Sequence, residues 1–164
     1  MEVKWPKGDA FYKSVEAHAA KIVTGTMLTV DPSSGSANSM PGWALFRGGK
    51  LVKSGTIKIP LTLNINGRLG YLYDQLVKLR ADIGHIDVLS IELISKNMSH
   101  EYLFYAIGVF MAALQADVEI KCPIHCWKAV AKHYPEYEKG DESDAVMFGQ
   151  TLLARARETF PTRR

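Results

Sequence analysis

Near the C-terminus, Lys139-Gly140-Asp141-Glu142-Ser143-Asp144-Ala145 sets two aspartates three residues apart, ahead of a segment that continues apolar and helical from Val146 through Leu153. On a helix, positions i and i+3 share a face, so Asp141 and Asp144 can be aimed at one point. The pattern also has a plainer use, because Asp-x-x-Asp at a helix start supplies an N-cap acceptor and an acid near the positive end of the dipole. Two further acids bear on the choice. Glu92 stands inside Val88-Leu89-Ser90-Ile91-Glu92-Leu93-Ile94, where an unpaired buried carboxylate would be costly. It is either a strand end that has reached solvent or a ligand whose cation offsets gathered negative charge. Asp31 precedes Pro32, which is common turn chemistry, and it directly follows an apolar run. Each acid alone is ordinary structure. Together they form a pattern: an acid after the first strand, an acid in the fourth, and an Asp-x-x-Asp opening the last helix.

The elements that must position these acids follow from hydrophobic spacing. Asp9 to Val23 reads as an outer helix with Asp9 as cap and Gly25 as stop. Thr26-Met27-Leu28-Thr29-Val30 is a buried strand, and Pro32, Gly35 and the serines around them turn the chain. Trp43 to Phe46 and Leu51 to Ile57, joined through Arg47-Gly48-Gly49-Lys50, read as a hairpin. Asn64 to Ile83 carries Leu69, Leu72, Leu76, Leu79 and Ile83 as a helical stripe. Asp87 to Ile94 is nearly continuous in apolar residues, as central parallel strands are. Ser99 can cap a helix whose apolar side includes Tyr102, Leu103, Ala106, Val109, Phe110 and Leu114. A fifth strand, Val118 to Cys122, precedes a helix over Ile124 to Ala131 and a closing helix over Ser143 to Thr159. A hairpin followed by strand–helix alternation predicts a mixed five-stranded α/β sheet with helices on both faces. Right-handed crossovers would set the strands ending at Asp31 and Glu92 side by side in parallel. Sites in such sheets lie at the carboxyl ends of the strands, which is where these two acids fall.

At this point the sequence resembles a known family. Thr29-Val30-Asp31-Pro32-Ser33-Ser34-Gly35, then Gly42-Trp43-Ala44-Leu45-Phe46 and Gly55-Thr56-Ile57, is similar to the first three strands of RuvC-like Holliday-junction resolvases. Ser90-Ile91-Glu92 resembles their second acidic motif, and Asp141-Glu142-Ser143-Asp144-Ala145-Val146 their closing Asp-x-x-Asp-Ala helix. The resemblance runs from about Met27 to Ala156 and leaves residues 1–24 outside as an N-terminal helical extension. It implies one RNase H-like nuclease domain over residues 1–164, in which Asp31, Glu92, Asp141 and Asp144 hold two divalent metals for phosphodiester hydrolysis. An all-carboxylate set suits Mg²⁺, with Mn²⁺ as the alternative. Lys128 falls where the family places a supporting lysine near the scissile phosphate, although a solvated helix lysine reads equally well. Lys96, Lys132 and Lys139 are further phosphate-contact candidates. The expected partner is branched DNA, a four-way junction, cut symmetrically by a homodimer, because a junction presents two equivalent positions to a twofold enzyme. The family's aromatic wedge, three residues after the strand glutamate, is replaced by Ser95, with Leu93, Ile94 and Met98 as neighbours able to take its place. The stretch from Lys128 to Asp141 is also shorter than in bacterial members, as a phage-type version would be.

The rest of the composition narrows the field. At 164 residues, 47% hydrophobic and 23% charged, the chain is an ordinary soluble domain by composition. A net charge of +3 permits a nucleic-acid partner without demanding one. No run approaches the roughly 18 apolar residues of a membrane span, and Met1 to Ser14 lacks a signal peptide's apolar core. A cytoplasmic protein of a bacterial cell or a phage-infected host is expected, with Cys122 and Cys126 reduced. Cys122-Pro123-Ile124-His125-Cys126 offers only three zinc ligands and reads as core packing at a strand-to-helix junction. His18, His85, His100 and His133 show no metal spacing. No Gly-x-x-x-x-Gly-Lys phosphate loop is present, so no nucleotide cofactor is expected. The alternatives are a nuclease of the same fold acting on other branched DNA or structured RNA, and a non-catalytic nucleic-acid-binding module.

Overall fold

The computed structural model of the chain describes residues 1–33, 40–93 and 101–160. Five strands form one sheet: β1 (Thr26–Asp31), β2 (Gly42–Arg47), β3 (Lys50–Thr56), β4 (Val88–Glu92) and β5 (Val118–Cys122). Their spatial order is β3-β2-β1-β4-β5. β1 is central, antiparallel to β2 and parallel to β4, which in turn is parallel to β5. The β2–β3 hairpin turns through Gly48 and Gly49, both at positive φ (55° and 74°), as a two-residue loop of the right twist requires.

Period-2 alternation divides the strand side chains between two cores. Leu28, Val30, Leu45, Leu89 and Ile91 pack with Leu72, Leu76, Phe110 and Leu114, from helices α3 (Ile65–Ile83) and α4 (Glu101–Leu114). Met27, Ala44, Phe46, Val88 and Ile120 pack on the other face. That face is covered by α1 (Asp9–Ala17), α2 (Ala19–Thr24), α5 (Ile124–Ala131) and α6 (Asp141–Thr159). Alternation then fixes where the strand acids point. Asp31 follows Met27 and Thr29 onto the α6 face, and Glu92 follows Val88 and Ser90 onto it. The Thr29 hydroxyl shows how close α6 lies, reaching the Ala145 carbonyl at 2.5 Å. α6 can settle this deeply because Gly149 has no side chain: a Cβ there would stand 2.0 Å from the Phe46 ring.

Several boundaries differ from the sequence expectation. The N-terminal helix is two helices broken at His18, with Gly8 in place of Asp9 at the N-cap position. It does not lie outside the core, because Phe11, Val15, Ile22 and Val23 are buried in the α6-side core. Tertiary contacts hold it there. Trp5 donates to Glu158 at 2.8 Å, and the Arg155 guanidinium lies 4.8 Å from the Tyr12 ring centroid. α3 is capped by Asn64, whose side chain accepts from the Gly67 N–H at 2.8 Å. The expected Ser99 cap lies outside the described residues. Among the described residues no helix is long and apolar enough to cross a membrane.

Candidate metal centre

β1 and β4 end together. Their parallel register pairs Thr29 with Ser90 and Val30 with Ile91, so one further step brings Asp31 and Glu92 alongside on the α6 face. The first turn of α6 arrives at the same end, carrying Asp141, Glu142 and Asp144. Its approach is set by Gly42, the first residue of β2, where a Cβ would stand 2.0 Å from the Asp141 carbonyl oxygen. The capping reading of Asp141 does not survive. Gly140 occupies the N-cap position with no side-chain cap, and Asp141 is the first residue of the helix, which starts at Asp141 rather than Ser143. Its Oδ2 instead accepts from the Met40 N–H at 2.9 Å, a tertiary contact. Neighbouring Glu142 accepts from the Ser54 hydroxyl at 2.6 Å and ties the helix start to β3.

The electrostatics identify the four carboxylates as one system. Asp31 is 6% exposed, and its carboxyl is pushed up to about 8. Burial is the chief cause; Glu92, Asp141 and Asp144 add repulsion, and the Ser33 N–H, 3.0 Å from Oδ1, opposes it. Glu92 is raised mainly by burial and further by Asp144 and Asp141, while Trp127 and Lys128 favour its ionised form. The Trp127 indole N–H faces Glu92 without closing to a full hydrogen bond. Asp141 is raised by burial and by Asp144, against the Met40 N–H. Asp31, Glu92 and Asp141 are thus driven toward neutrality by their setting and their neighbours, a setting that a divalent cation would relieve. The donors are all carboxylate oxygens, which fits Mg²⁺ or Mn²⁺. No three of the four bring oxygens within 4.8 Å of one another. Ligands shared between two ions do not need to be that close.

Sequence reasoning missed two aromatic residues here. The Tyr137 hydroxyl donates to Asp144 Oδ1, and its ring meets Trp127 edge-on at 5.9 Å between centroids. Trp127 in turn stands edge-on to Phe148 of α6 at 5.6 Å. Tyr137 therefore holds the helix acid Asp144, while Trp127 turns its N–H toward Glu92. The available signal was a tyrosine shortly before an acid-rich helix start and a tryptophan one residue before the candidate lysine. Lys128, in the last turn of α5, shares a recess with Glu92 and Asp144; Lys132 and Lys139 line it too. Lys96, Ser95, Ile94 and Met98 lie outside the described residues, and Leu93 is exposed.

The other expectations divide. Cys122 and Cys126 are free and buried, and the Tyr12 hydroxyl lies 3.5 Å from Cys126 Sγ, in keeping with core packing. His125 is engaged at 2.7 Å with the Lys7 carbonyl. His85 departs from its expectation: its Nε2 lies 2.9 Å from Asp117 Oδ2 and 3.7 Å from Asp87 Oδ1. Among the described residues, His85, Asp87 and Asp117 are the one group of potential ligands whose atoms all lie within 4.8 Å. They sit at the starts of β4 and β5, the end of the sheet opposite the four acids. Lys21 lies 3.5 Å from Asp117, and Asp87 accepts from the Thr26 N–H at 2.7 Å, so the cluster already has its partners.

No family model matches the chain, and no curated protein matches it in sequence. Solved structures do. The chain is similar to T. thermophilus RuvC in complex with a Holliday junction substrate, with a TM-score of 0.60 at 13% identity, over 84% of this chain and 96% of that one. It is similar also to the Thermus thermophilus RuvC structure, with a TM-score of 0.56 at 14% identity, over 79% and 95% of the two chains. At such identity the likeness speaks for architecture alone, and it agrees with the sheet order and helical layers described above: the chain has the RNase H-like fold of RuvC.

Proposed function

We propose that this protein is a divalent-metal-dependent endonuclease that resolves Holliday junctions by symmetric hydrolysis of DNA phosphodiester bonds. The observation that carries this reading is the convergence of Asp31, Glu92, Asp141 and Asp144, from two parallel strand ends and one helix start, into one buried to half-buried carboxylate group with Lys128 as a neighbouring cation. A binding-only module has no use for such a group beside DNA phosphates, which it would repel.

In this proposal the four acids hold Mg²⁺ or Mn²⁺, which supplies water activation and charge stabilisation at the scissile phosphate. The protein's own residues prepare the place. The Ser33 and Met40 N–H groups fix the rotamers of Asp31 and Asp141, and Tyr137 fixes that of Asp144. Lys128, beside Glu92, offers a cation to the phosphate. Burial of Asp31 keeps bulk water from competing for it. A homodimer would use the groove between α3 and α4, which exposes Ile65, Tyr73, Phe104 and Tyr105.

The test is incubation of the purified protein with a labelled synthetic four-way junction, alongside duplex, flap and single-strand controls, in Mg²⁺ or EDTA. Paired symmetric nicks confined to the junction and to Mg²⁺ are the expected result. Cutting of several branched substrates would retain the nuclease and remove junction selectivity. Binding without cutting in both Mg²⁺ and Mn²⁺ would refute the enzyme.

A further inference from the structure

Tyr137 lines two recesses: the one beside the acids, and a second of about 300 Å³ between β3 and the first turns of α6 that the proposed hydrolysis does not use. Leu51, Val146 and Met147 supply the apolar wall of this second cavity, and Tyr134 and Tyr137 its aromatic one. Glu136 and Glu142 line it as well, while no lysine, arginine or histidine does, in a chain whose net charge is +3. Among the described residues, neither glutamate has a cation at salt-bridge distance. Arg157, the cation that acts on Tyr134, is engaged at 2.8 Å with the Gly49 carbonyl.

The hydrogen bonds around the cavity decide what it offers a ligand. The Tyr137 hydroxyl donates to Asp144, and the Tyr134 hydroxyl to Gln150 at 3.2 Å, so both phenolic protons are committed to the protein. The Ser54 hydroxyl donates to Glu142 Oε1 at 2.6 Å, and Oε2 is left over. What remains is electron-rich: carboxylate oxygens, phenol lone pairs and ring π systems. An anion is repelled by such a lining, and a neutral apolar ligand would strip water from the carboxylates without replacing it. A cation satisfies both the acids and the rings. The apolar wall adds a demand for an alkyl chain, and two carboxylates can take two charges.

We propose that this cavity binds a small linear diamine, its alkyl chain along Leu51, Val146 and Met147 and its two ammonium groups at Glu136 and Glu142. The volume, at the low end for ligand pockets, limits the ligand to a short chain. The proposal stands without the nuclease reading, because none of the four acids is among its ligating groups.

The experiment titrates 1,5-diaminopentane into the metal-free protein at constant ionic strength, followed by calorimetry and by the shift in Tm. Saturable one-to-one binding, with a Tm that rises with the diamine, is the expected result. Pentylamine, with the same chain and one charge, should bind about ten-fold more weakly, and Nα-acetyl-lysine amide likewise. Glu136→Gln, on an exposed residue, should weaken diamine binding about five-fold, and Tyr134→Leu about ten-fold, each variant first shown by its melt to be folded. Asp31→Asn should leave diamine binding unchanged. Absence of saturable binding overturns the proposal. So does binding that Asp31→Asn removes and Glu136→Gln leaves intact, which would put the diamine among the four acids. Equal affinity for pentylamine or acetyl-lysine amide would mean a pocket for one ammonium group and would overturn the diamine as its ligand.

Discussion

The two ends of the sheet use the same residue types to opposite effect. At the starts of β4 and β5, Asp87 and Asp117 are met by His85, Lys21 and the Thr26 N–H, and Asp117 is held below the usual carboxylate range by its hydrogen bond with His85. At the ends of β1 and β4, Asp31, Glu92 and Asp141 are all raised, chiefly by burial and then by one another. Lys128 eases Glu92 only in part. An acid that has its counter-charge serves the fold. Acids gathered without one cost stability, a cost that the divalent cation of the proposed nuclease would offset.

Breaking the uncompensated end should have the largest effect. Glu92→Gln removes charge at nearly constant volume, and loss of one ligand carrying several kcal/mol of transition-state stabilisation means roughly a thousand-fold slower cleavage. Junction binding, measured by anisotropy, should be retained or improved, because a negative charge beside the phosphates is gone. Asp141→Asn and Asp144→Asn should each also cost activity heavily, in a gel assay of nicking. If their role were helix capping alone, the loss would appear only as about 1 kcal/mol of stability.

Next in size is the pH dependence of the metal-free protein. The Asp31 carboxyl, at about 8 when folded against 3.8 in its ordinary state, holds its proton in the native protein where the unfolded chain has lost it. Stability therefore falls as pH rises from about 4 to about 8, and the same sign applies to Glu92 and Asp141. Thermal melts in EDTA across that window should show the decline. Asp31→Asn should flatten it, and added Mg²⁺ should raise Tm most at the alkaline side. A smaller effect is expected from Tyr137→Phe, which frees Asp144 without changing charge: about ten-fold weaker Mn²⁺ binding by calorimetry, with nicking restored at higher metal. The smallest belongs to the paired end, where Asp117→Asn should lower Tm slightly and leave cleavage unchanged.

How far this contrast could be read from sequence follows the range of the interactions involved. The apolar runs Thr26–Val30 and Asp87–Ile94 were legible as strands, and right-handed crossovers as the reason they lie parallel with Asp31 and Glu92 at neighbouring ends. Whether Asp141 caps its helix was not, because a capping acid and a metal-binding acid can stand at the same helix start; the Met40 N–H that its carboxylate accepts is 101 residues away in the chain. Tyr137 was overlooked for a related reason, since a tyrosine in an irregular stretch has no periodicity to mark its direction. Burial of α1 and α2 depends on α6, through pairs such as Arg155 with Glu16 at 2.5 Å, which no local pattern of Asp9 to Val23 contains. His85 joined Asp87 and Asp117 across two loops, with only the His-x-Asp spacing as a hint.

The most direct test of the account is a calorimetric titration of Mn²⁺ into the parent protein, Asp31→Asn and Asp117→Asn, each first shown to be folded by its melt. The account predicts binding to the parent, equal binding to Asp117→Asn, and loss of binding in Asp31→Asn. Binding that survives Asp31→Asn and disappears with Asp117→Asn would place the cation at the other end of the sheet and contradict it.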